Sequence, residues 1–432
     1  MNWSNYFCTG LPLKPHFVVV TTGSAGDLFP FLKLALGLRA RGHAVTFVAP
    51  SLHESTVRQS ALVFHGTFAD PVILDHPDLW HPRRGFAVLW PAVERGLREL
   101  APLVARLPPG QPCVIVAHPL ALAAAELCRA ESREVRVVAA YLAPSNIPTV
   151  YDPLMMGPLS IPRWVPRRVR AWMWRRVARR YVDPVVLPGI NAERAAAGLA
   201  PAPGLLQLMK EGPDLSLTLF PEWFARSQPD WPRPLVTGDF ALHDPDPDAA
   251  FSQELVAFLQ QDGKPVVFTP GTANQQAGRY FELALEVVRK LNRRAIFLTP
   301  NRAQVPADLP PSVLWQAYLP LQQLLPHAAA LVHHGGIGTT AEALRAGVPQ
   351  LIVPLAFDQF DNAARVAALG AGLSLRHARL SARSLCRKLE QLLSSYDIAL
   401  QADALSTHLA SPPTLEPLLD AISNLISKTG KN

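Results

Sequence analysis

Charged residues, cysteines and long apolar runs are all scarce in this sequence. Charged side chains make up only 17% of the 432 residues and apolar ones 49%, which excludes a disordered chain and supports large buried cores. No apolar run reaches the roughly 18 residues of a transmembrane helix. The cysteines, which show no metal-ligand or CxxC spacing, are Cys8, Cys113, Cys128 and Cys386. We therefore predict a reduced, cytoplasmic protein.

Three further patterns are missing. Residues 1–15 lack the cationic start and apolar core of a secretory signal. The net charge of +7 comes without a Lys/Arg tail or a nucleic-acid motif, so we expect attraction to anionic small molecules or an anionic membrane surface, and no nucleic-acid partner. The first turn is not GxGxxG and no acidic residue follows the second strand, which argues against a nicotinamide dinucleotide site.

The most informative stretch that is present lies in the C-terminal half. The apolar segment Ala328–Val332 predicts a buried strand, histidines and glycines follow as a turn, and Thr339–Ala346 predicts a helix. Such a turn directs backbone N–H groups and a helix N-terminus at one point, which suits a phosphate. His334, Thr339 and Thr340 add hydrogen-bond donors. A glycine turn that serves packing alone is the alternative.

A wider pattern surrounds this turn. The predicted strand Gln350–Leu355 precedes Asp358 and Gln359, which places both polar side chains where open α/β sheets bind ligands. The run from Tyr318-Leu319-Pro320 through the histidine–glycine turn to Asp358-Gln359 resembles the nucleotide-sugar signature of family 1 glycosyltransferases. Because several spacings agree across residues 318–359, this resemblance is more specific than a glycine motif.

The resemblance implies a donor-binding role for each matching position. Tyr318 would stack on the donor base, where many family members carry tryptophan, and the Leu319 backbone would bind that base. Glu342 would bind the ribose, and Asp358 with Gln359 the hexose hydroxyls. The residues implied at the diphosphate are Gly271 and Thr272 of an earlier turn, then His334, Gly336, Gly338 and Thr339.

The N-terminal half begins with a βαβ pattern. The runs His16–Thr22 and Ala44–Ala49 flank the helical segment Phe31–Ala40, which predicts a parallel sheet with a right-handed crossover. Asp27 lies in the turn after the first strand. A carboxylate there can take the proton from an acceptor hydroxyl, and capping the helix at Phe31 is the alternative. The residues by themselves leave both interpretations open.

The pattern Gly23-x-x-Gly26-Asp27-x-x-Pro30 resembles the first-turn motif of bacterial family 1 enzymes. Many members carry histidine as the base at this position, whereas a subgroup acting on glycopeptides, sterols and lipids carries aspartate. The resemblance therefore implies Asp27 as the catalytic base, without a His–Asp relay.

Segments outside the donor signature resemble a narrower group. Asp78-Leu79-Trp80, Phe86–Trp90, Ile190-Asn191-Ala192 and Leu219–Phe224 are similar to the rhamnosyltransferases of rhamnolipid synthesis. This implies dTDP-L-rhamnose as the donor and a 3-(3-hydroxyalkanoyloxy)alkanoate-type lipid as the acceptor. The acceptor-site candidates are Trp80, Phe86, Trp90, Ser145 and Trp172. Packing in the core is the alternative for the aromatic ones.

Residues 163–181 carry eight arginines interleaved with apolar residues at helical spacing, which predicts a basic amphipathic helix. Three interpretations remain open for it. It could dock on an anionic membrane surface, cover an acceptor that has a carboxylate and fatty tails, or pack as an ordinary surface helix.

Together these patterns predict an α/β protein of GT-B architecture, with two Rossmann-like domains facing each other across a cleft. Residues 1–238 would bind the acceptor and carry the base, and the acidic, proline-rich start of 239–262 marks a linker. Residues 263–412 would bind the donor, and a helix in 413–432 would brace the N-terminal domain. The predicted reaction is inverting hexosyl transfer to a lipid hydroxyl, without a metal or other cofactor, with peripheral contact at the inner membrane surface.

Other functions predict different patterns. A UDP-glucose-dependent glucosyltransferase acting on a lipid, carotenoid, sterol or macrolide hydroxyl would keep the same mechanism. A sugar-nucleotide epimerase would need catalytic acids around the donor and no acceptor site, and the turn with Asp27 argues against it. A non-catalytic partner predicts a broken donor signature, whereas every polar position is occupied. No Asp-x-Asp metal motif lies beside that signature, since the alternating aspartates 244–248 are assigned to the linker.

Overall fold

The computed structural model describes residues 14–427 apart from 71, 82, 132, 153–156, 158–160, 163, 245, 247–248 and 410–413. Cys8, Arg163, Asp248 and the predicted domain limits at residues 1, 412, 413 and 432 lie outside the described residues. Within the described residues no helix is both long and apolar enough to cross a bilayer.

The described chain contains two sheets. The strands of the first are β1 (His16–Val20), β2 (Ala44–Pro50), β3 (Val63–Thr67), β4 (Cys113–Ala117), β5 (Val135–Tyr141), β6 (Leu215–Thr218) and β7 (Leu235–Thr237). Those of the second are β8 (Val266–Thr269), β9 (Ala295–Leu298), β10 (Val313–Gln316), β11 (Ala330–His333), β12 (Gln350–Ile352) and β13 (Gly372–Ser374). The strand orders are β3-β2-β1-β4-β5-β6-β7 and β10-β9-β8-β11-β12-β13, and each pairing in them is parallel.

Helices connect and cover the strands. In the first half they are α1 (Ala25–Ala40), α2 (Glu54–Gln59), α3 (Gly85–Leu97), α4 (Leu100–Ala105), α5 (Leu122–Leu127), α6 (Arg167–Val177), α7 (Asp183–Ala196) and α8 (Leu205–Glu211). In the second they are α9 (Gln253–Leu259), α10 (Gly278–Lys290), α11 (Leu321–Leu324), α12 (Ile337–Arg345), α13 (Gln359–Ala368), α14 (Ala382–Ser394), α15 (Tyr396–Ser406) and α16 (Glu416–Ser427).

The composition of the central strands explains the layered arrangement. Every residue of β4 and all of β1 after His16 are buried. A strand that is buried on both faces reads as a continuous β-branched run, as in Phe17–Val20, and must be covered by helices on each side. This confirms the predicted α/β class with two Rossmann-like sheets.

Helix α1 begins earlier than the sequence predicted. It starts at Ala25, after the N-cap residue Ser24, and not at Phe31. Asp27 therefore lies in the first turn of the helix, and its Oδ2 accepts a hydrogen bond from the Ser24 backbone N–H at 2.9 Å. A carboxylate in this position stabilises the helix start. Asp27 therefore does cap the helix, although the predicted start of the helix at Phe31 was wrong.

The C-terminal helix α16 packs against the first sheet, at β5 and β7. Leu418 and Leu419 are buried in the core that surrounds β1 and α1. Arg41 at the end of α1 forms ion pairs with Glu416 and with Asp420, the latter at 2.8 Å. These contacts are those expected of a brace, while the limits of the predicted domains stay predictions.

We predict that Leu418→Ala lowers the free energy of unfolding by about 2–5 kcal/mol, because it leaves a cavity in this core. Leu418 has no exposed surface. The matched control is Leu400→Ala on α15, where the side chain is 54% exposed and the expected loss is below about 0.5 kcal/mol. Urea unfolding measures both, and equal losses would show that α16 does not contribute to the core.

Candidate active site

A cavity of about 1310 Å³ lies between the two sheets. Residues that follow β1, β4 and β5 line it from the first sheet, and residues that follow β8, β9, β11 and β12 line it from the second. Carboxyl ends of parallel strands meet at one edge of a sheet, which is where open α/β sheets bind ligands. The cavity therefore lies where two such edges face each other.

The lining contains the predicted base and all predicted donor-binding residues. They are Asp27, Gly271, Thr272, Tyr318, Leu319, His334, Gly336, Gly338, Thr339, Glu342, Asp358 and Gln359. Of the acceptor candidates, Trp80, Phe86 and Ser145 also line it. The structure thus brings these side chains to one cavity, while the individual roles stay predictions.

Three expectations about lining residues were wrong. Trp90 is only 2% exposed and packs in the core behind Phe86, with ring centroids 6.0 Å apart. Trp172 is 56% exposed on the outer face of α6. Successive side chains of an α-helix point about 100° apart around its axis. The next two residues, Met173 and Trp174, therefore face the cavity and line it. Thr340 is fully buried below the turn and does not line the cavity.

The turn after β11 is held by the first of its two histidines. His333 Nδ1 accepts a hydrogen bond from the Gly335 N–H at 3.2 Å, so the ring proton is on Nε2 and donates to Gln350 Oε1 at 3.0 Å. Burial lowers the pKa of His333 to about 3. This residue is a neutral structural element that connects the turn to β12.

The second histidine, His334, faces the cavity between two glycines. A Cβ on Gly271 would lie 2.7 Å from His334 Cε1, and a Cβ on Gly336 would lie 2.6 Å from His334 Nε2. The imidazole fits only because neither position carries a side chain. Burial lowers the pKa of His334 to about 4, and its buried Nδ1 has no hydrogen-bond partner in the described part of the chain. The neutral imidazole lines the cavity, so its N–H can donate to an anionic oxygen there.

Helix α12 directs its N-terminus into the same space. Its first residues, Ile337, Gly338 and Thr339, line the cavity. The N-cap residue Gly336 has no side chain to cap this end, and the Asp358 carboxyl accepts a hydrogen bond from the Ile337 N–H. The remaining N–H groups and the helix dipole favour a negatively charged group at this position. Together with the turn at Gly271 they form a site suited to a diphosphate.

Two partly buried carboxyl groups lie beside this anion site. Burial raises the pKa of Glu342 to about 7, against the effect of Arg345, with which its carboxylate pairs. Burial and the charge of Asp27 raise the pKa of Asp358 to about 7. The Asp358 Oδ2 accepts from Asn362 Nδ2 at 2.7 Å, and the same amide donates to the Gly335 carbonyl at 2.9 Å. The Asn362 amide thereby connects Asp358 to the glycine turn that follows β11.

Gln359 is more restricted than the sequence suggested. Its Oε1 accepts from the backbone N–H groups of Leu355 and Ala356, at 2.8 and 3.1 Å. Only the amide nitrogen remains for a ligand, so Gln359 can donate to a hydroxyl oxygen but cannot accept from a hydroxyl.

The predicted base has a neighbour that the sequence analysis missed. His118 follows β4, and its Nε2 lies 3.7 Å from Asp27 Oδ1. The His118 Nδ1 accepts from the Leu120 N–H at 3.2 Å, which places the ring proton of the neutral histidine on Nε2, facing the carboxylate. The pairing of β1 with β4 brings Val20 beside Ala117 and so sets the two turns side by side. The position of His118 at the end of an apolar strand was the available signal.

The backbone at Gly23 also shapes this corner. Gly23 has φ +101°, and a Cβ there would lie 2.3 Å from Asp27 Oδ2. The Gly23 carbonyl accepts from His53 Nε2 at 3.0 Å. Only glycine tolerates both this dihedral angle and this close approach, which leaves the Asp27 carboxylate in place at the cavity wall.

The opposite arm of the cavity is apolar. Its walls come from α3, α6, α8 and the segment before α3, with side chains of Phe68, Ile73, Leu79, Phe86, Leu89, Met173, Trp174, Val177 and Met209. Trp174 is held in place by its Nε1–H, which donates to the Thr149 carbonyl at 3.1 Å. The arm meets the anion site at Asp27, so a long apolar molecule could place one polar end at that carboxylate.

Comparison with known proteins agrees with this geometry. Residues 17–97 match the glycosyltransferase family 28 N-terminal domain, and residues 282–425 match the erythromycin biosynthesis protein CIII-like C-terminal domain. The solved glycotransferase of kitacinnamycin superposes with a TM-score of 0.71 at 20% identity, covering 96% of this chain and 99% of that one. The fold is therefore that of the GT-B glycosyltransferases.

Sequence relatives extend over most of the chain. The L-demethylnoviosyl transferase of Streptomyces niveus is 31% identical over 83% of this chain and 85% of its own. The O-mycaminosyltylonolide 6-deoxyallosyltransferase of Streptomyces fradiae is 29% identical over 93% and 95%. A sterol 3-beta-glucosyltransferase of Debaryomyces hansenii is 26% identical over 94% of this chain, which spans only 26% of that protein.

Fold and cavity thus define a sugar-transferring enzyme with two facing nucleotide-fold domains. The chain belongs to the GT-B glycosyltransferases of the family 1 and family 28 type.

We predict that Gly271→Ala weakens binding of dTDP or UDP at least about tenfold, because the new Cβ displaces the His334 imidazole. Isothermal titration calorimetry measures the affinity. Gly263→Ala is the matched control, since Gly263 has a similar positive φ but no atom within 4 Å of the new Cβ. Equal affinities of the two variants would contradict a role for the fit between Gly271 and His334.

We also predict a pH-dependent stability difference at Asp358. Since its pKa is about 7 in the folded chain and near 3.8 when unfolded, the folded state binds more protons between these values. The wild type should therefore lose stability relative to Asp358→Asn as pH rises from about 4 to about 7, by on the order of 1–4 kcal/mol. Chemical denaturation across this range measures it. For the exposed Asp403→Asn control we expect no such trend, and a flat difference at Asp358 would disprove its burial as a neutral acid.

Proposed function

We propose that this glycosyltransferase is inverting and transfers L-rhamnosyl from dTDP-L-rhamnose to the hydroxyl of a 3-(3-hydroxyalkanoyloxy)alkanoate-type lipid. One observation carries the proposal. The cavity joins an anion site to a long apolar arm, and a carboxylate, Asp27, lies at the junction.

The reaction follows from the positions of these groups. The hydroxyl oxygen forms a bond to the anomeric carbon while its proton passes to Asp27, and the bond from that carbon to the diphosphate oxygen breaks with its electrons on the leaving group. His334, the α12 N-terminus and the turn at Gly271 and Thr272 offset the new negative charge. Donors that are already in place stabilise this charge without reorganisation.

His118 orients the base in this scheme. Its Nε2–H faces Asp27 Oδ1 while Ser24 N–H holds Oδ2. The carboxylate thus has a neighbour at each oxygen, and Asp27 lines the cavity in which the acceptor would bind.

The donor assignment rests on the hexose side of the cavity and on the relatives. Trp80 and Phe357 pack edge to face, with ring centroids 6.1 Å apart, next to Asp358. This apolar wall suits the methyl group of a 6-deoxyhexose. The S. fradiae relative is named as a 6-deoxyallosyltransferase, which supports a deoxyhexosyl donor.

The acceptor assignment rests on the apolar arm. Its apolar side chains suit fatty chains, and a lipid acceptor would bring the protein to the inner membrane surface. A glucosyltransferase that uses UDP-glucose and a sterol, carotenoid or macrolide hydroxyl is the second candidate. The sterol 3-beta-glucosyltransferase relative favours it, because a sterol would fill the same apolar arm.

A matrix of donors and acceptors tests the proposal. Purified protein with EDTA would be incubated with dTDP-rhamnose, dTDP-glucose or UDP-glucose and with a hydroxyalkanoyl lipid, a sterol or a macrolide, and the products read by mass spectrometry. A rhamnosyl lipid is the expected product. A glucosyl product alone would replace the proposal by the second candidate. Epimerised donor without transfer would overturn both.

We predict that Asp27→Asn lowers kcat by about 10²-fold or more, since the amide cannot accept the proton, while dTDP affinity stays within about twofold. Mass-spectrometric rates and calorimetry measure the two effects. Asp70→Asn makes the same charge change elsewhere on the cavity wall and should keep most of the activity. Full turnover by Asp27→Asn would refute its role as the base.

A further inference from the structure

Helix α6 separates the apolar arm of the cavity from solvent. Met173, Trp174 and Val177 lie on its inner face and line the cavity. Trp172 lies on the opposite face, near the centre of the exposed arc. A short π-helical turn follows at Ala178–Val182, and its Tyr181 both lines the cavity and is 50% exposed. Tyr181 therefore marks the rim where the cavity meets the outer surface.

The outer surface carries apolar side chains that no part of the described chain covers. Trp164 is 82% exposed, and Val169 and Trp172 are about half exposed. We call this set, with Tyr181 and the arginines below, the α6 surface. Large exposed aromatic residues close together in the chain are unusual on a monomeric protein and indicate an interaction site.

Arginines surround these apolar side chains. The exposed ones are Arg167, Arg168, Arg175, Arg176, Arg179 and Arg180. The sequence has no acidic residue between positions 161 and 182, and among the described residues none of these six forms an ion pair. Arg176 and Arg180 instead lie over the rings of Trp172 and Tyr181, at 5.9 and 5.5 Å.

Arg170 differs from the six exposed arginines. It is buried, and its guanidinium donates to the carbonyls of Val165 and Tyr151, at 2.9 and 3.2 Å. This arginine anchors the helix to the rest of the chain. The inner face of α6 therefore holds the helix on the protein, and the exposed arginines of its outer face can contact a partner.

We propose that the α6 surface docks on an anionic lipid bilayer and that a lipid acceptor enters the cavity past Tyr181. Tryptophan and tyrosine prefer the interface between water and acyl chains, and arginine heads pair with lipid phosphates. A DNA duplex would need the cations but not the exposed indoles. The bilayer also supplies apolar molecules directly at the rim of an apolar cavity. Only the entry step rests on the lipid acceptor proposed above.

Co-sedimentation with vesicles tests the docking step without any substrate. The probes are phosphatidylcholine vesicles with and without phosphatidylglycerol, at low and high salt. We expect binding only to the anionic vesicles, weakened by salt. Arg168→Glu with Arg175→Glu should weaken it about tenfold or more, and Trp172→Ala by severalfold.

Matched controls exclude general effects of charge and hydrophobicity. Arg383→Glu with Arg387→Glu makes the same charge change on the exposed side of α14, and Tyr396→Ala removes an exposed aromatic residue from α15. Both should bind vesicles like the wild type. Equal binding of all variants, no binding at all, or tighter binding to a DNA duplex than to anionic vesicles would overturn the proposal.

A second measurement separates this inference from the proposed function. Hydrolysis of the donor in the absence of acceptor should be the same in wild type and in Arg168→Glu with Arg175→Glu, since neither arginine touches the cavity. Transfer to an acceptor embedded in anionic vesicles should fall about tenfold in this variant, whereas transfer to the same acceptor in detergent should not. A rhamnosyl lipid formed equally from vesicles by both proteins would refute docking and leave the proposed function intact.

Discussion

Parallel pairing of the strands is the constraint on which the rest of this structure depends. In both sheets every strand ends at the same edge, and the two edges face one cavity. Backbone N–H groups, a helix N-terminus and polar side chains that are far apart in sequence thereby converge. The interior of each sheet is covered on both faces, so these edges are where the chain can present polar groups to a ligand without breaking its cores.

The donor side is built from backbone more than from charge. Glycines at 271 and 336 bring two turns close to the His334 ring, and the N-terminus of α12 adds a partial positive charge. The charged groups beside it are carboxyls whose pKa values burial raises toward neutrality. We propose that this site binds a diphosphate through preorganised hydrogen bonds, which would suit a leaving group whose charge grows during the reaction.

The acceptor side connects the chemistry to the surface. The same helix α6 that closes the apolar arm carries the exposed tryptophan and arginines on its other face. Contacts also join the two halves of the chain: Arg365 pairs with Asp152 at 2.7 Å, and Gln276 donates to the His76 carbonyl at 3.1 Å.

The sequence by itself determined the fold class and predicted which residues of the signature share one cavity. β-branched runs mark buried strands, and the signature residues between 318 and 359 line the cavity close to where they stand in the chain. Only the tertiary structure decided what depends on long-range packing. The pairing of β1 with β4 placed His118 beside Asp27, although 91 positions separate them in the sequence. Helix rotation placed Trp90 in the core and Trp172 in solvent, since the direction of a side chain on a helix is set by what the helix packs against and not by residue type.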